Sequence, residues 1–135
     1  AALATDTGWF RFASTTSQTL RLAGRLVDAG AVPDRLYQQL YEDETLARLQ
    51  LIGRTIARTR TELDGRLIHT WIESADFEAT GALPHNSEDV INMTLSVGGT
   101  EAAVILVEQA TGGCKVSFRS RCSLDCSRVA EQFGG

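Results

Sequence analysis

The amino-acid sequence predicts an α+β protein, in which N-terminal helices and a connector helix lead to a small mixed domain with a β-sheet. Apolar residues recur at helical spacing in the first half of the chain, and they alternate with polar residues in much of the second half. The turn pair Asp64 and Gly65 separates the two patterns. The 135 residues, 43% of them hydrophobic, suffice for one full domain or for one small domain with attached helices.

The charge of the chain limits the partners that it can bind. Its formal net charge is −4, so no overall positive field exists to hold long nucleic acid, and a nucleotide must be held locally. No apolar run approaches the roughly 20 residues that cross a bilayer, and the N-terminus has no signal-peptide pattern. We therefore expect a soluble, cytoplasmic protein with no membrane partner.

Two helices are predicted near the N-terminus. Hydroxyl residues at 14–17 can cap a helix that begins near Ser17, and Gly30 suits its C-terminal end. Pro33 suits the first turn of a second helix, which we expect to end near Glu42.

A third, longer helix is predicted from Asp43 to about Thr61, and we interpret it as a connector between two units. The second unit then begins with an alternating strand. The elements expected after the connector are a strand at 67–72, short helices at 74–78 and 87–93, a strand at 101–108, a second strand at 114–120 that forms a hairpin with it, and a closing helix capped by Asp125.

The cysteines and histidines do not indicate a metal site or a catalytic pair. Cys114, Cys122 and Cys126 form an odd set without a C-x-x-C spacing, so we interpret them as structural thiols. His69 and His85 are far from them in the sequence, and neither has a catalytic partner nearby. Both histidines are interpreted as structural.

The end of the chain contains residues that suit a phosphate. Gly134 and Gly135 follow a helix and provide backbone amides, and the strand that carries Arg119 and Ser120 adds a guanidinium and a hydroxyl. The same residues also fit an ordinary helix end beside solvated side chains of Arg119 and Arg121. Spacing alone does not decide between the two interpretations.

Near the N-terminus, Asp6 lies in a Thr-Asp-Thr-Gly turn, where its carboxylate suits a hard metal ion. One carboxylate does not make a metal site, and aspartate is also a common turn residue. The neighbouring rings of Trp9, Phe10 and Phe12 either stack on a base or pack beneath a loop.

Two segments of the sequence, taken together, carry a family resemblance. The first is Thr-Asp-Thr-Gly-Trp-Phe-Arg-Phe at 5–12, followed by two threonines at 15–16. The second is Lys-Val-Ser-Phe-Arg-Ser-Arg at 115–121, followed by Asp125, by Val-Ala at 129–130 and by Phe-Gly-Gly at 133–135. In this order the two segments resemble the DHH-family phosphoesterases, in particular the RecJ-related branch of bifunctional oligoribonucleases and pAp phosphatases (nano-RNases).

The resemblance implies a manganese-dependent hydrolase that acts as an exonuclease on short oligonucleotides, as a phosphatase on pAp, or as both. It further implies two manganese ions in the parent enzyme, which activate a hydroxide, and a C-terminal domain that holds the nucleotide. The residues that match the family's motifs are Asp6 for a metal ligand and, for substrate binding, Arg119, Ser120, Gly134, Gly135 and, less closely, Arg121.

The same resemblance predicts the domain organisation. Residues 1–42 correspond to the C-terminal helical part of the DHH catalytic domain, 43–64 to a connector helix, and 65–135 to the DHH-associated substrate-binding domain, up to a point inside its glycine-rich motif. The Asp-His-His triplet, the earlier aspartate motifs and the histidine after the glycine run are absent from the sequence. We therefore expect a fragment that is inactive and binds no manganese by itself.

Two alternatives remain at this point. The chain is also compatible with a nucleotide-binding or nucleic-acid-binding module that acts alone, and with a fragment that forms a homodimer through its exposed helices.

Overall fold

The structure is a computed structural model that describes residues 1–42 and 44–134, and it confirms the α+β class. The chain divides into two compact units, Ala1–Glu44 and Thr45–Gly135. The elements, in chain order, are α1 (Ala2–Asp6), α2 (Ser17–Asp28), α3 (Pro33–Tyr41), α4 (Leu46–Ala57), β1 (Arg60–Glu62), β2 (Leu67–Ile72), α5 (Ser74–Thr80), a 3-10 turn (Pro84–Ser87), α6 (Val90–Thr94), β3 (Ala102–Glu108), β4 (Cys114–Ser120) and α7 (Cys126–Glu131).

The first unit contains the two helices predicted there. Thr16 caps α2 through a reciprocal pair of hydrogen bonds, since its Oγ1 accepts from the Thr19 amide and the Thr19 hydroxyl accepts from the Thr16 amide, both at 3.2 Å. α3 begins at Pro33, as the proline indicated. Neither α2 nor α3 has a fully buried residue. The predicted bounds of both helices are confirmed to within two residues.

The third helix, α4, is shorter than predicted and belongs to the second unit. Thr45 caps it, and it ends at Ala57, so that 60–62 forms the edge strand β1. The sequence pattern continued to Thr61, but at 60–62 the backbone pairs with β2 and cannot remain helical. Leu51 is fully buried in the core of the second unit, so α4 covers the sheet there instead of standing as a connector. Asp43 lies outside the described residues.

The sheet of the second unit has the order β1-β2-β3-β4. β2 and β3 pair in parallel, and the two outer pairs are antiparallel. Parallel neighbours need a crossover connection, which here consists of α5, the 3-10 turn and α6. The predicted strands and the hairpin of β3 and β4 are confirmed.

One face of this sheet forms the core. Alternate residues of β2 and β3 are buried, while the residues between them are partly exposed on the other face. The helices α4 and α6 cover the buried face with Leu51 and Val90, neither of which is exposed. The sheet residues on that face are Ile68, Thr70, Ile72, Ala103, Ile105 and Val107.

The crossover corrects one predicted helix. The pattern at 87–93 indicated one helix, but the structure has the 3-10 turn at Pro84–Ser87 and a separate α6 from Val90. The Ser87 hydroxyl donates to the Pro84 carbonyl at 2.7 Å, which closes the turn. Asp89 then has a φ of +63°, so the helix begins only after it.

A buried carboxylate joins α4 to α5. The side chain of Asp76 is 3% exposed and accepts two hydrogen bonds from the Arg58 guanidinium, one of them at 3.0 Å. The Glu73 amide donates to it at 2.9 Å, and Arg54 lies 3.6 Å away. Burial raises the pKa of Asp76, but the bonds from Arg58 and the Glu73 amide and the two positive charges lower it, and the net direction is downward.

None of the helices in the described part of the chain has the length and apolar character needed to cross a membrane.

Cys114, Cys122 and Cys126 are free thiols.

Replacing Asp76 by asparagine should lower the free energy of unfolding at pH 7 by about 3 kcal/mol, because it removes the buried charged partner of the Arg58 guanidinium and leaves only the exposed Glu73 carboxylate, 4.0 Å away. The folded-state pKa of Asp76 is lowered, so its contribution is complete above the unfolded value of about 3.9 and is lost as the pH falls through the folded value. Urea unfolding of both proteins between pH 2 and 7 tests this. The exposed Glu78→Gln on the same helix is the control, and equal losses for the two variants would contradict the prediction.

Candidate functional site

The last strand, β4, carries two of the predicted substrate-binding residues, Arg119 and Ser120, at its C-terminal end, and Arg121 follows it directly. Its register with β3 sets Arg119 opposite Ala103 and Ser120 opposite Ala102. Ala103 is completely buried beneath the helices, whereas Ala102 lies on the other face. Because side chains alternate along a strand, Arg119 and Ser120 lie on opposite faces of the sheet. They are neighbours in the chain, but their side chains do not point to one spot.

The segment between β4 and α7 is held by hydrogen bonds at three points. The Ser120 hydroxyl donates to the Leu124 carbonyl at 2.8 Å, and the Arg121 amide donates to the Glu101 carbonyl at 2.8 Å. Asp125 accepts from two backbone amides in the first turn of α7, at 3.0 and 3.3 Å, so the predicted cap is confirmed. These bonds position the segment before any ligand is present.

An open cleft of about 680 Å³ lies between this segment, α7 and the first residues of β2 and β3. Arg66 and Arg128 bring positive charge to it. The Arg66 guanidinium is 3.9 Å from the Glu101 carboxylate, and both side chains are exposed to water. Among the residues that the structure describes, no carboxylate lies within ion-pair distance of Arg128. The lining residues are Leu63, Arg66, Leu67, Glu101, Ala102, Cys122, Ser123, Leu124, Asp125, Arg128, Val129 and Gln132.

The chemistry of this cleft suits a small anionic ligand. Guanidinium groups bind phosphate oxygens through charge-assisted hydrogen bonds, which are stronger than neutral ones. The apolar part of the lining, which includes Leu63 and Val129, suits the flat or aliphatic part of such a ligand.

The chain leaves α7 beside this cleft. Phe133 stacks on Phe118 of β4, with ring centroids 6.2 Å apart and planes at 25°, and this contact joins the helix end to the sheet. Gly134 follows with a φ of +83°, a backbone conformation that favours glycine. No other atom lies within 4 Å of the position that a Cβ would take at Gly134. Gly135, the second glycine of the predicted phosphate-binding pair, lies outside the described residues.

Asp6, the candidate metal ligand, is the exposed last residue of α1 in the first unit. The predicted turn starts one residue later, at Thr7. Within residues 1–42 and 44–134, no group of three or more histidine, cysteine, aspartate and glutamate side chains is arranged to hold a metal ion. A manganese ion needs several such ligands. The described residues therefore do not form by themselves the centre that the resemblance implies.

Both histidines belong to the second unit, and His69 makes side-chain contacts there. His69 lies 3.6 Å from Glu62 across the pair of β1 and β2, and its ring stacks on Trp71 with centroids 6.4 Å apart. His85 is exposed in the 3-10 turn.

Arg66 and Arg128 were not predicted from the sequence as candidate ligand-binding residues. Arg66 follows the Asp64 and Gly65 turn, and Arg128 lies on the polar side of a short helix, where a solvated arginine is the ordinary interpretation. Only the pairing of β2 with β3 and the return of α7 bring the two to one cleft. No local pattern in the sequence indicates that Arg66 and Arg128 lie at the same cleft.

Comparisons with known proteins extend these observations. No family model matches the chain. The chain is 29% identical over 131 residues to a protein of Thermus thermophilus and 28% identical over 121 residues to a protein of Bacillus subtilis. Both relatives are named bifunctional oligoribonuclease and PAP phosphatase NrnA. The alignments cover 97% and 90% of this chain, and 38% of the length of each relative.

The fold also has a counterpart among solved structures. The crystal structure of an exopolyphosphatase-related protein from Bacteroides fragilis superposes with a TM-score of 0.87 and 24% identity, and it covers 97% of this chain and 38% of that one. This likeness shows the fold. The two sequence relatives confirm the resemblance to the oligoribonuclease and pAp phosphatase branch of the DHH family.

Proposed function

We propose, from this relationship, that the chain is part of a manganese-dependent phosphoesterase that hydrolyses short oligonucleotides, pAp (adenosine 3′,5′-bisphosphate) or both, and that its second unit binds the nucleotide. The observation that carries the proposal is the end of β4. There a segment matching the family's substrate-contacting motif borders a preorganised cleft with two arginines. The names of the two relatives give the class of substrate.

In this proposal the phosphates of the nucleotide are bound by guanidinium groups of the second unit. Arg119 is exposed at the end of an edge strand. Its guanidinium donates a hydrogen bond, at 3.2 Å, to the Phe118 carbonyl of its own strand. Binding a phosphate there breaks no ion pair among the described residues. The cleft lies on the Ala102 face and Arg119 does not line it, so Arg66, Arg128 and the apolar lining of the cleft form a second surface for a nucleotide, separate from the contact at Arg119.

The described residues of this chain do not account for the metal-dependent hydrolysis of the proposed enzyme. Asp6 is the one matched ligand, and the described residues do not complete a metal centre around it. We therefore assign binding and positioning of the nucleotide to the second unit, and we derive no hydrolytic step from the residues present.

Replacing Arg119 by alanine should weaken the binding of pAp at least about tenfold, because a charge-assisted hydrogen bond to a phosphate contributes roughly 1.5–3 kcal/mol. Backbone amide shifts during titration with pAp measure this and locate the ligand. In the wild-type chain, saturable shifts should cluster at Arg119, Ser120 and Gly134.

Arg60→Ala is a matched control for that titration. Arg60 is also an exposed arginine on an edge strand, and it also donates at 3.2 Å to the preceding carbonyl, but it lies at the opposite edge of the sheet. Its loss should leave the affinity for pAp unchanged. An equal loss of affinity for pAp in the two variants, or amide shifts that lie outside the end of β4, would contradict the proposed binding site.

A second prediction concerns hydrolysis. With manganese added, the chain by itself should release no phosphate from pAp and no mononucleotide from a short RNA, since three or more clustered metal ligands are absent from the described residues. Phosphate release and the separation of RNA products measure this. Turnover that depends on manganese and is lost on addition of a chelator would contradict the prediction.

A second candidate function is self-association through the first unit. Its helix α2 exposes a set of apolar side chains, and no residue of that helix is buried. Exposed apolar side chains occur at interfaces between protein chains. The residues are Leu20, Leu22, Leu26 and Val27, each 45–53% exposed, and helical spacing places Leu20 with Val27 on one side of α2 and Leu22 with Leu26 on another.

If these residues form a homodimer, light scattering should give about twice the chain mass of 14.6 kDa, and dilution should shift the value toward the monomer. Leu20→Glu should favour the monomer because it places a charge in the apolar contact. Gln18→Glu adds the same charge on the same helix at an exposed polar position and should leave the mass unchanged. A monomeric wild-type chain at every concentration would rule out the dimer.

A further inference from the structure

A group of aromatic rings in the first unit has no role in the proposed function. The ring of Trp9 stands nearly perpendicular to those of Tyr37 and Tyr41, at 79° and 89°, with centroids 5.1 and 6.0 Å away. The two tyrosines are one helical turn apart on α3, and their centroids are 5.0 Å apart. With Arg11 they line an open recess of about 250 Å³, which is distinct from the cleft of the second unit.

These rings are not sealed inside a core. Tyr37 is 39% exposed and Tyr41 is 40% exposed. Aromatic rings that serve only packing are usually more deeply buried, because their large area contributes most when it leaves water. Here much of the ring surface remains available to a ligand.

The turn that carries Trp9 is held in an unusual backbone conformation. Gly8, Trp9 and Phe10 have φ values of +53°, +57° and +66°, and for a residue with a side chain this region costs about 1–2 kcal/mol. A Cβ at Gly8 would also meet the tip of the exposed Phe12 ring, so a substitution there needs that ring to move as well as a strained backbone. Strained segments of this kind concentrate at ligand-binding sites.

Hydrogen bonds from a buried threonine fix this turn. The Thr7 hydroxyl donates to the Leu3 carbonyl at 2.7 Å and accepts from the Phe10 amide at 3.1 Å. The Trp9 amide donates to the Ala4 carbonyl at 2.7 Å. The backbone that carries Trp9 is therefore fixed before any ligand binds, which lowers the entropic cost of binding.

Arg11 adds positive charge to the recess. Its Nε donates to the Gly8 carbonyl at 2.9 Å, which orients the guanidinium and leaves its two terminal nitrogens for another partner. Within residues 1–42 and 44–134, no carboxylate lies within ion-pair distance of Arg11. A cationic ligand is disfavoured beside this charge, although aromatic rings alone would suit one.

We infer that Trp9, Arg11, Tyr37 and Tyr41 form a second ligand site, which binds one nucleotide by stacking its base on the rings and pairing its phosphate with Arg11. Base stacking on aromatic rings contributes about 1–3 kcal/mol and tolerates any base. The recess is smaller than the roughly 300–1,000 Å³ of sites for drug-sized ligands, so it suits a mononucleotide portion of a longer substrate. The inference rests on the proposed function only for the choice of a nucleotide as the ligand.

The fluorescence of Trp9 tests this site in the full chain with Trp71→Phe, which leaves one tryptophan as the reporter. Adenosine 5′-monophosphate should quench it saturably. Adenosine and inorganic phosphate should each bind at least about tenfold more weakly, because each makes only half of the contacts. Phosphate that binds as tightly as the nucleotide, or no quenching at millimolar nucleotide, would overturn the inference.

Substitutions in the same background locate the contacts. Arg11→Gln should weaken the nucleotide at least about tenfold, whereas Arg35→Gln, which removes an exposed charge from α3, should not. Tyr37→Leu should weaken the nucleotide and adenosine but not phosphate. Circular dichroism checks the folding of each variant, and Arg11→Lys, which keeps the charge, replaces Arg11→Gln if that variant unfolds. Equal affinities for Arg11→Gln and Arg35→Gln would also overturn the inference.

Arg119→Ala separates this site from the proposed function. It should abolish the amide shifts at the end of β4 and leave the quenching of Trp9 unchanged. Quenching that disappears with Arg119 would show that the reporter senses binding at the second unit, and the second site would then be rejected.

Discussion

The parallel pairing of β2 with β3 is the constraint on which the second unit depends. Two parallel neighbours cannot be joined by a tight turn, so the chain must cross over one face of the sheet, and that face then becomes the core. Ala103 near the start of β3 has no exposed surface, and Leu51 of α4 packs in the same core. The ion pair of Arg58 and Asp76 then joins α4 to the first helix of the crossover. The helices lie where they do because this pair of strands must be covered.

The candidate site follows from what this core leaves uncovered. The hairpin places β4 at the edge of the sheet, so its C-terminal residues and the segment after it remain open to solvent on one side. The Ser120 hydroxyl and the Asp125 carboxylate are both used to hold that segment. The charge offered to a ligand therefore comes from arginines, whose long side chains reach outward from a rigid support. The segment after β4 therefore has a backbone that is fixed by hydrogen bonds and is bordered by arginine side chains that are long enough to contact a ligand.

Local signals in the sequence predicted what local physics decides. The predictions of the caps of α2 and α7, of the alternating strand β2 and of the hairpin were correct. Each of these features depends on residues that are close together in the sequence. The end of α4 was wrong because the pairing of 60–62 with β2 is a contact between separate segments. The meeting of Arg66 with Arg128 was missed for the same reason. The grouping of Arg119 with Ser120 came from adjacency in the sequence, whereas a strand sends adjacent side chains to opposite faces.

The two proposed binding sites are shaped without a metal ion, for a physical reason. The hydrogen bonds that shape the segment after β4 all have both partners in the second unit, and those that shape the turn at Thr7 and Trp9 all lie in the first. Neither set includes a metal ligand, so neither geometry needs a metal ion to exist. A metal centre, by contrast, draws its stability from several ligands that converge on one ion, and one exposed carboxylate at Asp6 gives no such convergence. Nucleotide binding at the two proposed sites therefore does not require a metal ion to shape them.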